Sequence, residues 1–368
     1  MPASRLHQGI HLFRQLALLA GPLLAILVYS LLPESAAGLN GEEIVLGTAG
    51  RATAGLAIWM AVWWLTEATS IYATALLPLA LMPLLGASTI KETAGAYAHP
   101  LIFLFLGGFI LALALEKWHL HRRFAVTVLK LIGTKPTTLV GGFMFISATL
   151  SMWITNTATT LVMLPILLSI IGLLDKNSAN KKNFSLCLLL GVAYAASIGG
   201  IGTIIGTVPN MFTVSFIQNE LGTDISFAKW MTIGLPIVIV FVPLVWWLLT
   251  HWIYPPGDDE VGQEFLDEKP EPWSIGAKLT LAIFLLTAIC WICRPLLMKW
   301  PPLANLTDTG IAIIAALLLF SIPVNLKQRE FLMDWDTALR VPWGVLLLFG
   351  GGLALAGAIR ANGVGELL

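Results

Sequence analysis

Ten apolar segments constrain this chain more than any other feature. They fall roughly at 15–32, 47–65, 71–86, 100–116, 137–172, 184–208, 230–253, 275–297, 309–324 and 342–359. Most approach the ~20 residues with which a helix crosses a hydrocarbon core about 30 Å thick. Charged residues make up 11% of the chain, against about 25% in a soluble domain. The pattern predicts an all-α polytopic membrane protein, since a helix satisfies its own backbone in lipid. The formal net charge of zero points to no nucleic-acid partner; the bilayer is the expected one. The run from Leu16 to Leu32, preceded by Arg5, His7, His11 and Arg14, reads as a first transmembrane helix. A cleaved signal peptide is the alternative, but no small-residue cleavage site follows. Cys187, Cys290 and Cys293 lie inside apolar spans and read as packing residues, not as a disulfide or metal site.

Loop charge sets the orientation, because cytoplasmic loops are rich in Lys and Arg. Lys117, Arg122, Arg123, Lys130 and Lys135 crowd one loop, and Lys176, Lys181 and Lys182 another, while the loops near Glu34, Glu42 and Glu43 and near Glu220 and Asp224 carry no excess. The N-terminus and both basic loops are therefore expected inside. The acidic loop from Pro255 to Trp273 should also be cytoplasmic, whereas Arg294 and Lys299, expected outside, run against the rule. The segment 137–172 then has a basic loop at each end, although it is too long for one ordinary span. Its middle reads "SMWITNTATTLVMLPI", Ser151 to Ile166, and an unpartnered polar group costs several kcal/mol in hydrocarbon. A re-entrant hairpin turning near Thr155-Asn156-Thr157 resolves both points. Two full spans with a short external loop are the alternative, and would reverse everything downstream.

A second interruption follows in "AYAASIGGIGTIIGTVPN", Ala193 to Asn210. Gly199, Gly200, Gly202, Gly206 and Pro209 resist a continuous helix, each interior glycine by about 1 kcal/mol relative to alanine. Ser197, Thr203, Thr207 and Asn210 add hydroxyls and an amide. A broken membrane helix exposes carbonyls to a hard cation and N-terminal dipoles to an anion. Close glycine packing between helices is the competing explanation. Neutral oxygens without a central carboxylate suit Na⁺ with an anionic substrate; proton coupling normally uses an intramembrane Asp, Glu or His. No organic cofactor and no metal beyond sodium is expected, and Gly200 and Gly202 are the expected carbonyl ligands. Glu67, Glu116 and Arg51 fall near helix ends and read as interface anchors. His119 and His121 open an amphipathic stretch that reads as an interfacial helix, and most of the 14 tryptophans as interface markers.

"FLGGFILALAL" (Phe105 to Leu115) aligns without a gap on "FGGGLALAGAI" (Phe349 to Ile359), each copy after a proline, Pro100 or Pro342. By the count of crossings the copies run in opposite directions, as in inverted-repeat transporters. A second tip placed as far beyond Gly351 as Asn156 lies beyond Gly107 would fall past Leu368. The expectation is that the sequence is a fragment whose second repeat stops short of its hairpin.

With "PLIFLFLGGFILALALEKWHLHRR" before them and "VPWGVLLLFGGGLALAGAI" after, these two interruptions closely resemble the divalent anion/sodium symporter family over nearly the whole chain. That family carries a Ser-Asn-Thr signature at each of two hairpin tips. Here the first reads Thr155-Asn156-Thr157, keeping the hydroxyl and adding a methyl. The resemblance implies that Asn156 and Thr157 contact the substrate carboxylate, and that Ser151, Thr155 and Asn156 help to hold one sodium ion. It also implies a homodimer with an elevator mechanism. The expected division is scaffold-type helices over 1–136, a transport-domain segment over 137–254, and the start of a second repeat over 255–368. The function implied is sodium-coupled import of C4-dicarboxylates such as succinate across the cytoplasmic membrane. Citrate or sulfate carriage and anion exchange are siblings in the same fold. An intramembrane enzyme would need a base near Ser151 or Thr155, and none lies near in sequence. A channel is compatible with inverted broken helices, and accumulation against a gradient separates it from a carrier.

Overall fold

The structure, a computed structural model, describes residues 2–37, 43–174, 180–257 and 272–366. Glu42, Lys176 and positions 258–271 of the expected acidic loop lie outside the described residues, as do the side chains of Arg5, His7, His11, Lys130 and Glu220. The chain is mainly helical. In order come α1 (Pro2–Leu31), β1 (Ser35–Ala37), β2 (Glu43–Val45), α2 (Gly47–Thr66), α3 (Ile71–Thr74), α4 (Leu77–Leu84), α5 (Ile90–Tyr97) and α6 (Pro100–Lys117). They are followed by α7 (Leu120–Ile132), α8 (Pro136–Ser151), α9 (Asn156–Leu173), α10 (Lys181–Gly199), α11 (Val208–Leu221), α12 (Phe227–Leu248) and α13 (Ile275–Leu297). The last elements are α14 (Asp308–Ser321), β3 (Pro323–Asn325), β4 (Glu330–Phe331), α15 (Trp335–Ala338) and α16 (Trp343–Ala361).

Among the described residues, seven stretches are long and apolar enough to cross a membrane: Phe13–Leu31, Ile90–Lys117, Asn156–Leu173, Lys181–Gly202, Phe227–Ile253, Ile275–Leu297 and Trp343–Ala361. The chain is a multi-pass membrane protein, as its apolar pattern predicts. The two short antiparallel strand pairs, β1 with β2 and β3 with β4, were not legible, because strands of two or three residues carry no readable period.

Two compact units make up the chain, Met1–Ile102 with Pro342–Leu368, and Phe103–Val341. In the first, α1 lies along α2, and the charged residues at the helix ends are paired. Arg14 meets Glu67 at 2.8 Å, Arg51 meets Glu34 at 3.4 Å, and the Arg51 guanidinium covers the Tyr29 ring. Asn362, past the end of α16, donates to Thr53 Oγ1 and to the Ala87 carbonyl.

The second unit is organised around α8, α9, α10 and α12. Leu139, Val140, Phe143, Met144, Met163, Leu167, Phe184 and Leu188 form one buried apolar cluster with Val238 of α12. Ser147 donates to the Val192 carbonyl between α8 and α10, and Trp246 of α12 donates to the Thr137 carbonyl in the first turn of α8. Trp246 thus ties α12 to the start of α8. At the end of α6, Glu116 pairs with Arg340, Lys117 with Asp334 at 2.6 Å, and Trp118 with the Leu332 carbonyl. The Lys117 ammonium holds the Asp334 carboxyl down at about 2. This contribution is therefore present above the ordinary carboxylate range and is lost only as pH falls through about 2.

Arg294, one of the two residues that ran against the loop-charge rule, is neutralised inside the protein. Its Nη1 donates to Asp308 Oδ2 at 2.9 Å and its Nε to the Leu306 carbonyl at 3.0 Å. Asp308 also accepts the Phe227 amide at the start of α12, at 2.8 Å, while Trp291 donates to the Asp308 carbonyl. The ends of α12, α13 and α14 therefore meet at one carboxylate that is 8% exposed. Removing its cation leaves a buried charge uncompensated, at a cost of about 3–5 kcal/mol. Arg294→Ala should clearly lower the thermal unfolding midpoint in detergent, and adding Asp308→Asn should recover much of the loss.

Candidate functional site

The candidate site is built from four helix ends. Helix α8 stops at buried Ser151, and the chain turns over Met152 to Ile154, where the amides of Trp153 and Ile154 both reach the Leu150 carbonyl at 2.9 Å. Thr155 is extended, at φ −58° and ψ 147°, and its hydroxyl caps α9 by accepting the Ala158 amide at 3.3 Å. The turn thus lies over residues 152–155, just before the Thr155-Asn156-Thr157 position expected from sequence. Ser151 Oγ then donates back across it to Asn156 Oδ1 at 2.7 Å, closing the tip.

The second interruption behaves in the same way. Helix α10 ends at Gly199 and tightens into one 3₁₀ turn over Gly200–Gly202. Thr203 is extended, and the chain re-enters a helix only at Val208, after extended Thr207. Tightening alone cannot satisfy the carbonyls freed by such a break. Side chains supply the missing donors. Asn210 Nδ2 donates to the Gly200 and Thr203 carbonyls at 2.8 and 2.7 Å, and Trp230 of α12 donates to the Ile201 carbonyl at 2.8 Å.

The fold brings the two interruptions together. A methyl group on Gly200 would lie 2.5 Å from Asn156 Oδ1, and one on Gly206 would lie 2.9 Å from the Ser151 carbonyl and closer still to that of Gly200. Only glycine permits this approach. The Thr203 hydroxyl, itself fully buried, donates to the Met152 carbonyl. Of the residues expected to hold a ligand, Ser151, Asn156 and Gly200 form one cluster. Thr155 lies beside it with its hydroxyl in the cap, and Thr157 is exposed in the first turn of α9. Gly202 packs against Met152, and its carbonyl lies against Gly234 of α12, 3.1 Å from where a methyl there would stand.

The polarity of this arrangement follows from the helix ends. The carboxyl ends of α8 and α10 bring partial negative charge and backbone oxygens, which suit a hard monovalent cation. The amino ends of α9 and α11 bring N–H groups and partial positive charge, which suit a carboxylate. At α11 the cap residue Thr207 makes no side-chain bond to the first-turn amides. Among the described residues, no group of three or more His, Cys, Asp or Glu could hold a metal. Sequence reasoning named Thr203 and Asn210 only as polar company and missed their stapling role. It also missed the aromatic bed under the tip. Trp153 meets Phe284 edge-on at 4.8 Å and lies near-parallel to Phe227 and Trp291, which stack on each other at 4.5 Å. Trp153 beside the polar run was visible in the sequence, but its partners lie 74 to 138 residues away.

Comparison with known proteins identifies the family. The pattern of the family described as "Citrate transporter" matches residues 61–368. Two proteins named "Sodium-dependent dicarboxylate transporter SdcS", from Staphylococcus aureus strains USA300 and NCTC 8325, are each 40% identical to this chain over 327 residues, or 85% of it. The chain spans 63% of the length of each of these relatives. The family resemblance read from the sequence is thereby borne out: the chain belongs to the citrate transporter family.

Proposed function

We propose that this protein is a sodium-coupled symporter that imports C4-dicarboxylates such as succinate across the cytoplasmic membrane. The observation that carries the reading is the meeting of two helix carboxyl ends with two helix amino ends at Ser151, Asn156 and Gly200. Neutral oxygens take the cation and N–H groups take the anion. The name of the relatives supports both sodium and dicarboxylate. In this reading Asn156 and Thr157 bind the substrate carboxylate, and Ser151, Thr155, Asn156, Gly200 and Gly202 hold sodium, Gly200 with the stronger geometric support. No organic cofactor takes part, and the chemistry is transport rather than catalysis. A citrate carrier is the second reading, favoured by the description of the matching family.

The buried cluster drawn from α8, α9, α10 and α12 supports 137–254 as a transport-domain segment. Scaffold-type helices over 1–136, a second repeat beginning at 255–368 and inverted relative to the first, elevator movement and a homodimer complete the proposal. So does re-entrance of the hairpin, supported by the turn between α8 and α9.

Four measurements on the intact protein in proteoliposomes test this reading. Asn156→Ala should abolish succinate uptake while leaving expression and unfolding midpoint near wild type; normal uptake would remove the assignment. Uptake should require sodium, so accumulation in sodium-free buffer driven by a pH gradient alone would refute the coupling. Excess citrate competing better than succinate would favour the second reading. Single cysteines at Lys135 and Lys181 should react from the same side with an impermeant thiol reagent, and opposite labelling would rule out the re-entrant hairpin.

A further inference from the structure

We infer that Thr203 and Asn210 are positioning residues that join the hairpin tip and the broken helix into one body. Cation binding at the tip would then depend on side chains that need not touch the ion. The inference rests on the reading of the Ser151–Asn156–Gly200 cluster as the sodium site.

Asn210 is 5% exposed, and its one amide nitrogen serves two carbonyls, Gly200 at one end of the 3₁₀ turn and Thr203 just past the other. It replaces the N–H donors that a continuous helix would have supplied. Thr203 then passes the connection on. While its carbonyl accepts from Asn210, its hydroxyl donates to the Met152 carbonyl, itself freed at the end of α8. Met152 follows Ser151, which bonds Asn156 across the tip. A path of hydrogen bonds and one peptide step therefore runs from α11 through the break to the residue that lies against Gly200. No link in it carries charge, so the tie cannot be screened by salt or removed by a change of pH. It fixes the spacing between the Gly200 backbone and the Asn156 amide. Without it, the cation would first have to bring the two segments together, and its apparent affinity would fall by the fraction of time they are apart.

The test uses the shape-conserving Thr203→Val and the hydroxyl-conserving Thr203→Ser in the intact protein, reconstituted in proteoliposomes. Thr203→Val keeps the shape and removes the hydroxyl. It should raise the sodium concentration for half-maximal succinate uptake roughly fivefold, the scale of one hydrogen bond, and shift the succinate constant at saturating sodium by less than about twofold. Thr203→Ser keeps the hydroxyl and should restore the sodium dependence. An unchanged sodium constant in Thr203→Val, equal shifts in both constants, or equal defects in the two variants would overturn the inference. Hydrogen–deuterium exchange in detergent provides a readout independent of transport. Thr203→Val should speed exchange at 150–157 and 200–207 together, and Thr203→Ser should not; an unchanged tip would overturn the tie. Sodium-independent uptake by the wild-type protein would instead refute sodium coupling, and the exchange result would still decide whether Thr203 joins the two segments.

Discussion

An unpartnered backbone carbonyl inside hydrocarbon is the constraint on which this structure depends. Continuous helices avoid it automatically, but the chain breaks its helices at Met152 and at Gly200, and each break frees carbonyls that must find donors. The donors come from elsewhere in the sequence: Thr203 for Met152, Asn210 for Gly200 and Thr203, and Trp230 for Ile201. Because each donor reaches to a different element, satisfying the breaks also assembles them. Packing of α12 against the break and closure of the tip on α10 are parts of one solution.

In the proposed reading the same constraint explains the chemistry. A site lined by carboxylates would have to keep them ionised at low dielectric, with a large desolvation penalty. Helix ends offer oxygens and N–H groups whose partial charges are already present and already directed. Two charged pairs of the second unit, Lys117 with Asp334 and Arg294 with Asp308, lie elsewhere. There they fasten helix ends together and leave the centre neutral.

Apolar run lengths made the helices legible, and the polar middle of one long apolar segment made the turn between α8 and α9 legible. The polar residues at both interruptions were visible for the same reason, since polarity in an apolar context demands an explanation. Partnerships were not legible. Nothing local in the sequence relates Thr203 to Met152, Trp153 to Trp291, or Asp308 to the Phe227 amide, because each pairing is a product of tertiary packing. Arg294 shows the cost of reading charge singly: as a loop residue it contradicted the orientation rule, and as a buried partner of Asp308 it has no bearing on the rule.

The direction of the bonds at the breaks has a consequence for sequence variation. Every acceptor there, at Met152, Gly200, Ile201 and Thr203, is a main-chain oxygen, which any residue supplies. The donors that tie these breaks to other segments are particular side chains, beside the Gly206 amide that also reaches the Thr203 carbonyl at 3.3 Å. Met152 and Ile201 are thus free to drift as far as packing allows, while Thr203, Asn210 and Trp230 are not. At Met152 and Ile201 the residue that cannot change is therefore a different one from the residue whose oxygen it holds, whereas Thr203 is both donor and acceptor and Gly200 is fixed by its close approach to Asn156.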